Sequence, residues 1–305
     1  MGPAKEISKG RVMASDELQV VKEMLGAIDM QAGSLEERRA ILQSFAQPPP
    51  EGTSVTRVAA GGVPAEWVVA PEADEDRVIL YLHGGGYSLG SLDSHRRLVA
   101  QLSTEAKARM LNVDYRLAPE HPFPAAVDDA VAAYRWLLGQ GVRADRVAIS
   151  GDSAGGGLTL ATLLALRDAG DPLPAAAVPL SPWTDLEGTG ESMRTRAGVD
   201  LMIQPDRLKE TADLYANGAD LRQPQLSPLH GDYTGLPPLL IQVGDAEVLL
   251  DDATRVAAIA EAAGVDVTLE VWDEMPHVFQ AFVGLLPEAD QAVARIGAWL
   301  QARLP

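Results

Sequence analysis

One serine in the chain sits where a hydroxyl could be made to react. In VAISGDSAGGGLTL, residues 147–160, a short apolar run stops at Gly151, Ser153 follows, and an apolar helical pattern begins at once. Gly151-Asp152-Ser153-Ala154-Gly155 matches G-x-S-x-G, with the strand-like RVAIS before it and the helix-like GLTLATLLALRDAG after it. On such a corner the serine is held in a strained conformation, and neighbouring chain passes so close that only glycine fits on either side. The Oγ is thereby pushed clear of the sheet edge. The free N–H groups at the start of the following helix suit a developing oxyanion at the same spot. The five-residue pattern alone would also describe a glycine-rich turn with an idle serine, so the flanks carry the weight.

A second glycine cluster, YLHGGGYSLGS at 81–91, follows the strand-like RVILYLH. His83-Gly84-Gly85-Gly86 is the kind of loop whose backbone N–H groups complete an oxyanion hole, because side chains there would block a substrate carbonyl. A nucleotide loop is excluded: no G-x-G-x-x-G opens a helix here and no G-x-x-x-x-G-K-[ST] occurs. His83, inside this loop, reads as a bracing residue rather than a base.

A serine hydroxyl needs a base. The histidines are His83, His95, His121, His230 and His277. In the nucleophile-elbow arrangement the chain order is Ser, acid, His. His277, in DEMPHVFQAF just past the last strand pattern VTLEVW, fits that order. His230 precedes the last two strand patterns, His95 opens a helical pattern, and His121 lies in the Pro-rich APEHPFP; these three read as surface or hydrogen-bonded histidines. The acid should leave the strand LLIQVG and orient the His277 tautomer. Asp245, Glu247, Asp251 and Asp252, in DAEVLLDD, all qualify, although Asp251 and Asp252 could instead cap the helix that follows. Spacing does not choose among them.

These groups need a scaffold. Eight strand patterns run along the chain: TSVTRVAA, AEWVVA, RVILYLH, ARMLNVDY, RVAIS, AAVPLS, LLIQVG and VTLEVW. Helical patterns separate most of the later ones, which predicts an α/β fold with a mostly parallel sheet covered on both faces. Two segments fall outside the alternation, residues 1–50 with two amphipathic helices (15–30 and 34–47) and an insertion at about 184–222. Together they are expected to form a helical cap over the C-terminal edge of the sheet, leaving 51–183 and 223–305 as the catalytic domain.

The 305 residues carry 43 Asp and Glu against 25 Lys and Arg, a formal charge of −18, which argues against nucleic acid as a partner. Cysteine is absent, so disulfides and thiolate chemistry are excluded and a cytoplasmic location fits. The N-terminal MGPAKEISKGRVMAS has no apolar core of a secretory signal, Glu6 stands where N-myristoylation wants Ser or Thr, and no run is long enough to span a membrane. No spacing of His and carboxylates suggests a metal.

Taken together, HGGGY, DYRLAPEHPFPAA (114–126) and GDSAGGGL resemble the hallmark blocks of the hormone-sensitive-lipase-like family of α/β-hydrolase-fold esterases, also called bacterial esterase family IV, over roughly residues 55–300. That resemblance implies an α/β-hydrolase fold with an eight-stranded, mostly parallel sheet and a helical cap, and hydrolysis of short- to medium-chain acyl esters with no cofactor. The family's D-P-L-x-D block corresponds here to Glu247-Val248-Leu249-Leu250-Asp251, with Glu for the first Asp and no Pro. The resemblance therefore implies a triad of Ser153, Glu247 and His277, with Asp251 in a supporting position and the N–H groups of Gly84, Gly85 and Ala154 as oxyanion hole. It also leaves room for lactone or amide (formamide) substrates, and for non-catalytic binders on the same fold, which lack the histidine that His277 supplies here. Tyr87, Trp183, Met202, Tyr215 and Phe279 are pocket candidates that would serve equally well in a core. The partner is expected to be a small ester, and a homodimer is allowed.

Overall fold

The computed structural model describes residues 15–28 and 33–305. The N-terminal readings on residues 1–14, and the end of the first helical pattern at 29–30, lie outside them. Two helices come first, α1 (Asp16–Gly26) and α2 (Leu35–Ser44). The strands are β1 (Ser54–Ala60), β2 (Val63–Val69), β3 (Asp74–Leu82), β4 (Ala108–Val113), β5 (Val147–Asp152), β6 (Ala176–Leu180), β7 (Leu239–Gly244) and β8 (Val267–Trp272). Between and after them lie α3 (Leu92–Ala106), α4 (Ala125–Gly139), α5 (Ala154–Ala169), the short α6 (Ser192–Thr195), α7 (Pro205–Ala216), α8 (Leu250–Ala262) and α9 (Pro287–Gln301). All eight expected strands form, in one sheet of order β1-β2-β4-β3-β5-β6-β7-β8. The pairs β1–β2 and β2–β4 are antiparallel and the rest parallel.

Both faces are covered, which is why the central strands read as unbroken apolar runs. In β3, Val78, Leu80 and Leu82 join a core shared with α4, α5 and α8, while Ile79 and Tyr81 join the opposite core shared with α1, α3 and α9. Helix α1 is 11 residues long and would be marginal by itself. Burial of Leu18, Val21 and Leu25 holds it, at about 1.5–3 kcal/mol for each large apolar side chain. Ser15, at the N-terminal end of α1, makes no capping bond and ties the helix to α9, its N–H and Oγ each donating to the Glu288 carboxylate at 2.8 Å. Ser34 does cap α2, through a reciprocal bond with Glu37.

Register brings the chemical motifs to one edge. Leu82, ending β3, pairs with Gly151 in β5, and Asp152 pairs with Leu180, ending β6. Gly244, ending β7, pairs with Trp272, ending β8. His83, Ser153, Ser181, Glu247 and His277 therefore all leave the sheet at its C-terminal end.

Candidate active site

Ser153 lies between β5 and α5 with φ 54° and ψ −120°. A non-glycine residue held there costs about 1–3 kcal/mol, strain that the surrounding packing must hold. The flanking glycines have a steric cause: a Cβ on Gly155 would lie 1.9 Å from the Leu82 carbonyl oxygen, and one on Gly151 would lie 2.4 Å from the same atom. The strand end of β3 thus presses the corner into shape.

His277 follows β8, and its Nδ1 lies 2.6 Å from Glu247 Oε2. The carboxylate accepts, so Nδ1 carries the proton and Nε2 keeps its lone pair. The other oxygen, Glu247 Oε1, accepts from Ser181 Oγ at 2.7 Å and from the Gly244 N–H at 2.8 Å. Ser181 Oγ in turn accepts from the Val278 N–H at 3.1 Å, clasping the histidine loop to the acid. Both His277 and Glu247 are buried. Burial alone would lower the His277 pKa, but the charge and hydrogen bond of Glu247, aided by Asp200, raise it above its ordinary value. Ser153 and His277 line the same cavity of about 310 Å³ without a hydrogen bond between them, a contact that commonly tightens only with substrate bound.

The other acids of DAEVLLDD are engaged elsewhere. Asp245 accepts from the Glu274 N–H, and Asp251 from the Ser192 N–H. Asp252 is buried and accepts from the Thr184 and Asp185 N–H groups; burial pushes its carboxyl up to about 8. Neither Asp251 nor Asp252 caps α8: the helix begins at Leu250, one residue earlier than the spacing suggests, which places both inside its first turn, and both reach instead toward the insertion before β7.

The oxyanion loop departs from expectation at one residue. The Gly84 N–H donates to Asp152 Oδ1 at 3.0 Å, and a Cβ on Gly84 would fall 2.1 Å from Asp152 Oδ2. That N–H is committed to the protein itself. Gly85 and Gly86, not Gly84, line the cavity beside Ser153. Among the described residues the N–H groups of Gly85, Gly86 and Ala154 have no protein acceptor. Asp152, the unspecified x of the serine motif, is the anchor that selects among the glycines: it also accepts from the Tyr81 hydroxyl at 2.7 Å and lies 3.4 Å from His95 Nε2. Burial would raise the Asp152 pKa, but His95 and Tyr81 together hold it below the usual value. His83 stacks on Tyr115 at 4.4 Å, and its Nδ1 lies 2.8 Å from the Gly84 carbonyl oxygen. Burial, with His95 nearby, lowers its pKa to about 4, so it stays neutral and braces the loop.

Three of these residues have places in the site that their sequence context does not reveal. His95 reads in the sequence as a surface or hydrogen-bonded histidine, yet it lines the cavity. For Ser181 and Asp152, which clasp the acid and anchor the loop, the available signal is a polar residue at the C-terminal end of a buried strand. Of the pocket candidates, Met202 lines the cavity, whereas Tyr87, Trp183, Tyr215 and Phe279 are fully buried in the core, with Tyr87 and Tyr215 stacked at 3.7 Å. Asp185, Glu187 and His230 come close enough together to be weighed as metal ligands. Arg255, 3.1 Å from Asp185, and Arg222, 3.7 Å from Glu187, already supply positive charge there. No helix of the described residues is long and apolar enough to cross a membrane.

An α/β-hydrolase-fold family model matches residues 79–281. An acetyl-hydrolase of Streptomyces hygroscopicus is 46% identical over 297 residues, which cover 95% of this chain and 97% of that one. An esterase from the bacterial hormone-sensitive lipase family superposes with a TM-score of 0.93 at 49% identity, over 95% of this chain and 99% of the other. EstE5, in a crystal soaked with p-nitrophenyl butyrate, gives a TM-score of 0.93 at 46% identity over the same shares, 95% and 99%. With kinship of that depth along nearly its whole length, the chain belongs to the bacterial hormone-sensitive-lipase family of carboxylic ester hydrolases on the α/β-hydrolase fold.

Proposed function

We propose that the protein cleaves short- to medium-chain acyl esters through an acyl-enzyme on Ser153, with His277 as base and Glu247 as the triad acid. The observation that carries the assignment is the 2.6 Å contact between His277 Nδ1 and Glu247 in a site that shares its cavity with Ser153. His277 Nε2 takes the Ser153 proton as Oγ attacks the ester carbonyl. The N–H groups of Gly85, Gly86 and Ala154 stabilise the oxyanion, and His277 then protonates the leaving alcohol. Water activated by the same imidazole releases the acid.

The helical segments before β1 and between β6 and β7 act as the cap. Leu42 and Phe45 from the first, and Met202, Ile203 and Leu208 from the second, give the cavity apolar walls. A cavity of about 310 Å³ suits a modest acyl chain, in keeping with a relative named an acetyl-hydrolase and with the p-nitrophenyl butyrate soaked into a crystal of EstE5. Across a series of p-nitrophenyl esters from acetate to laurate, kcat/KM is expected to peak at the short end and to fall by about tenfold or more at the longest chains. A maximum at laurate contradicts the short-chain assignment.

The raised pKa of His277 sets the pH profile. The imidazolium is stabilised by its carboxylate neighbours, and only the neutral ring can accept the serine proton. Activity is therefore lost as pH falls through the folded pKa and present above it. The rising limb of kcat/KM against pH is expected to have its midpoint above 6.5, the ordinary histidine value. A midpoint clearly below that value would falsify this account of the base.

A further inference from the structure

Two consecutive-arginine pairs flank the cavity, Arg38-Arg39 in α2 and Arg96-Arg97 in α3. One member of each is consumed by the protein. Arg39 forms a fork with Glu120 at 2.7 and 2.8 Å, and Arg96 forms one with Glu66 at 2.9 Å in both arms. The other two, Arg38 and Arg97, both line the active-site cavity. Among the described residues neither has a carboxylate within ion-pair distance, and the Nε of each is buried without an acceptor.

A shortage of carboxylates does not explain this, since the chain has 43 Asp and Glu for 25 Lys and Arg. A partly buried guanidinium without a partner is costly, and evident pairing elsewhere shows how readily this chain supplies one. Among the described residues the lining has a single carboxylate, Asp152, and that is committed to Tyr81, Gly84 and His95. Arg97 also lies against a glycine of the lining. Gly284, also in the lining, has φ +81°, and a Cβ there would lie 3.1 Å from Arg97 Nη2.

We propose that Arg38 and Arg97 form a carboxylate-binding subsite in the wall of the active-site cavity, so that the enzyme takes esters that carry a free carboxylate. The planar guanidinium fork matches the two oxygens of a carboxylate. The charge sits on the acyl side in half-esters of dicarboxylic acids and on the alcohol side in esters of hydroxy acids. The subsite rests on the hydrolytic reading of Ser153 and adds a substrate class to it.

The test compares matched anionic and neutral esters by pH-stat. Monoethyl adipate is set against ethyl heptanoate for the acyl side, and 6-acetoxyhexanoate against heptyl acetate for the alcohol side. The wild type, Arg38→Gln, Arg97→Gln and the double variant are measured. For at least one pair, the anion-to-neutral ratio of kcat/KM should fall by about fivefold or more in the double variant, chiefly through KM. The responding pair identifies the side. Arg38→Lys and Arg97→Lys, which keep the charge, should recover part of the ratio. Because each ratio has the neutral ester as its reference, a partly misfolded preparation lowers both terms together. A smaller change in both pairs, with wild-type turnover of the neutral esters intact, overturns the subsite alone. Failure of folded wild type to turn over any of the four overturns the hydrolytic reading with it.

Discussion

Ser153→Ala is expected to lower kcat on p-nitrophenyl butyrate by about 10⁴-fold or more while leaving the fold intact. The substitution removes one oxygen and nothing that holds the corner together. The turn is shaped by Gly151 and Gly155 against the Leu82 carbonyl, and the Ser153 backbone N–H still reaches the Leu180 carbonyl at 2.8 Å. Oxyanion donors and cavity remain, so a residual rate above water is expected. The measurement is a titrated kcat for purified variant, alongside a melting curve. A folded Ser153→Ala protein with near-normal turnover would remove the acyl-enzyme mechanism altogether.

Glu247→Gln should cost about 10³- to 10⁴-fold in kcat, nearly as much as losing the nucleophile. The physical reason lies in both oxygens. Oε2 fixes the proton on His277 Nδ1 and steadies the imidazolium when it forms, while Oε1 is held by Ser181 and Gly244. Glutamine keeps the shape, loses the charge, and offers an NH₂ group where an acceptor is needed. With the carboxylate gone, burial should also pull the His277 pKa down, moving the residual pH profile to lower pH. Asp245→Asn and Asp251→Asn, made in parallel, should each stay within about tenfold of wild type, since their partners are backbone N–H groups that an amide oxygen can still serve. A dead Asp251→Asn beside a near-normal Glu247→Gln reverses the assignment.

Much of the scaffold was legible because its signals are local. Eight apolar runs separated by helical periods give the sheet, and Gly151 and Gly155 around Ser153 announce a corner that only close backbone approach demands. What could not be read depends on contacts between segments far apart in the chain. Four carboxylates in eight residues look alike until β7 and β8 are paired and one of them meets His277. The glycines of HGGG are equally alike in sequence. Only the Asp152 carboxylate, reaching from the next strand, decides which N–H is occupied and which are free. His95 lies on an ordinary amphipathic helix, and nothing in its neighbours' types reveals that the helix delivers it to the catalytic edge.

Asp200 illustrates a constraint that the fold places on any redesign. Its buried carboxylate accepts from the Met202 and Ile203 N–H groups at 2.8 Å on one side, and from the Val248 N–H at 2.8 Å on the other. Met202 and Ile203 are cavity wall, and Val248 is the immediate neighbour of Glu247. The residues that shape the substrate and the residue that steers the proton thus hang from one side chain. Changes that reshape the wall at 202 and 203 are transmitted to the acid loop, and their effects on substrate range and on turnover are not separable. Evolution along this part of the cavity is epistatic by construction, because a change of substrate range there is also a change at the acid loop.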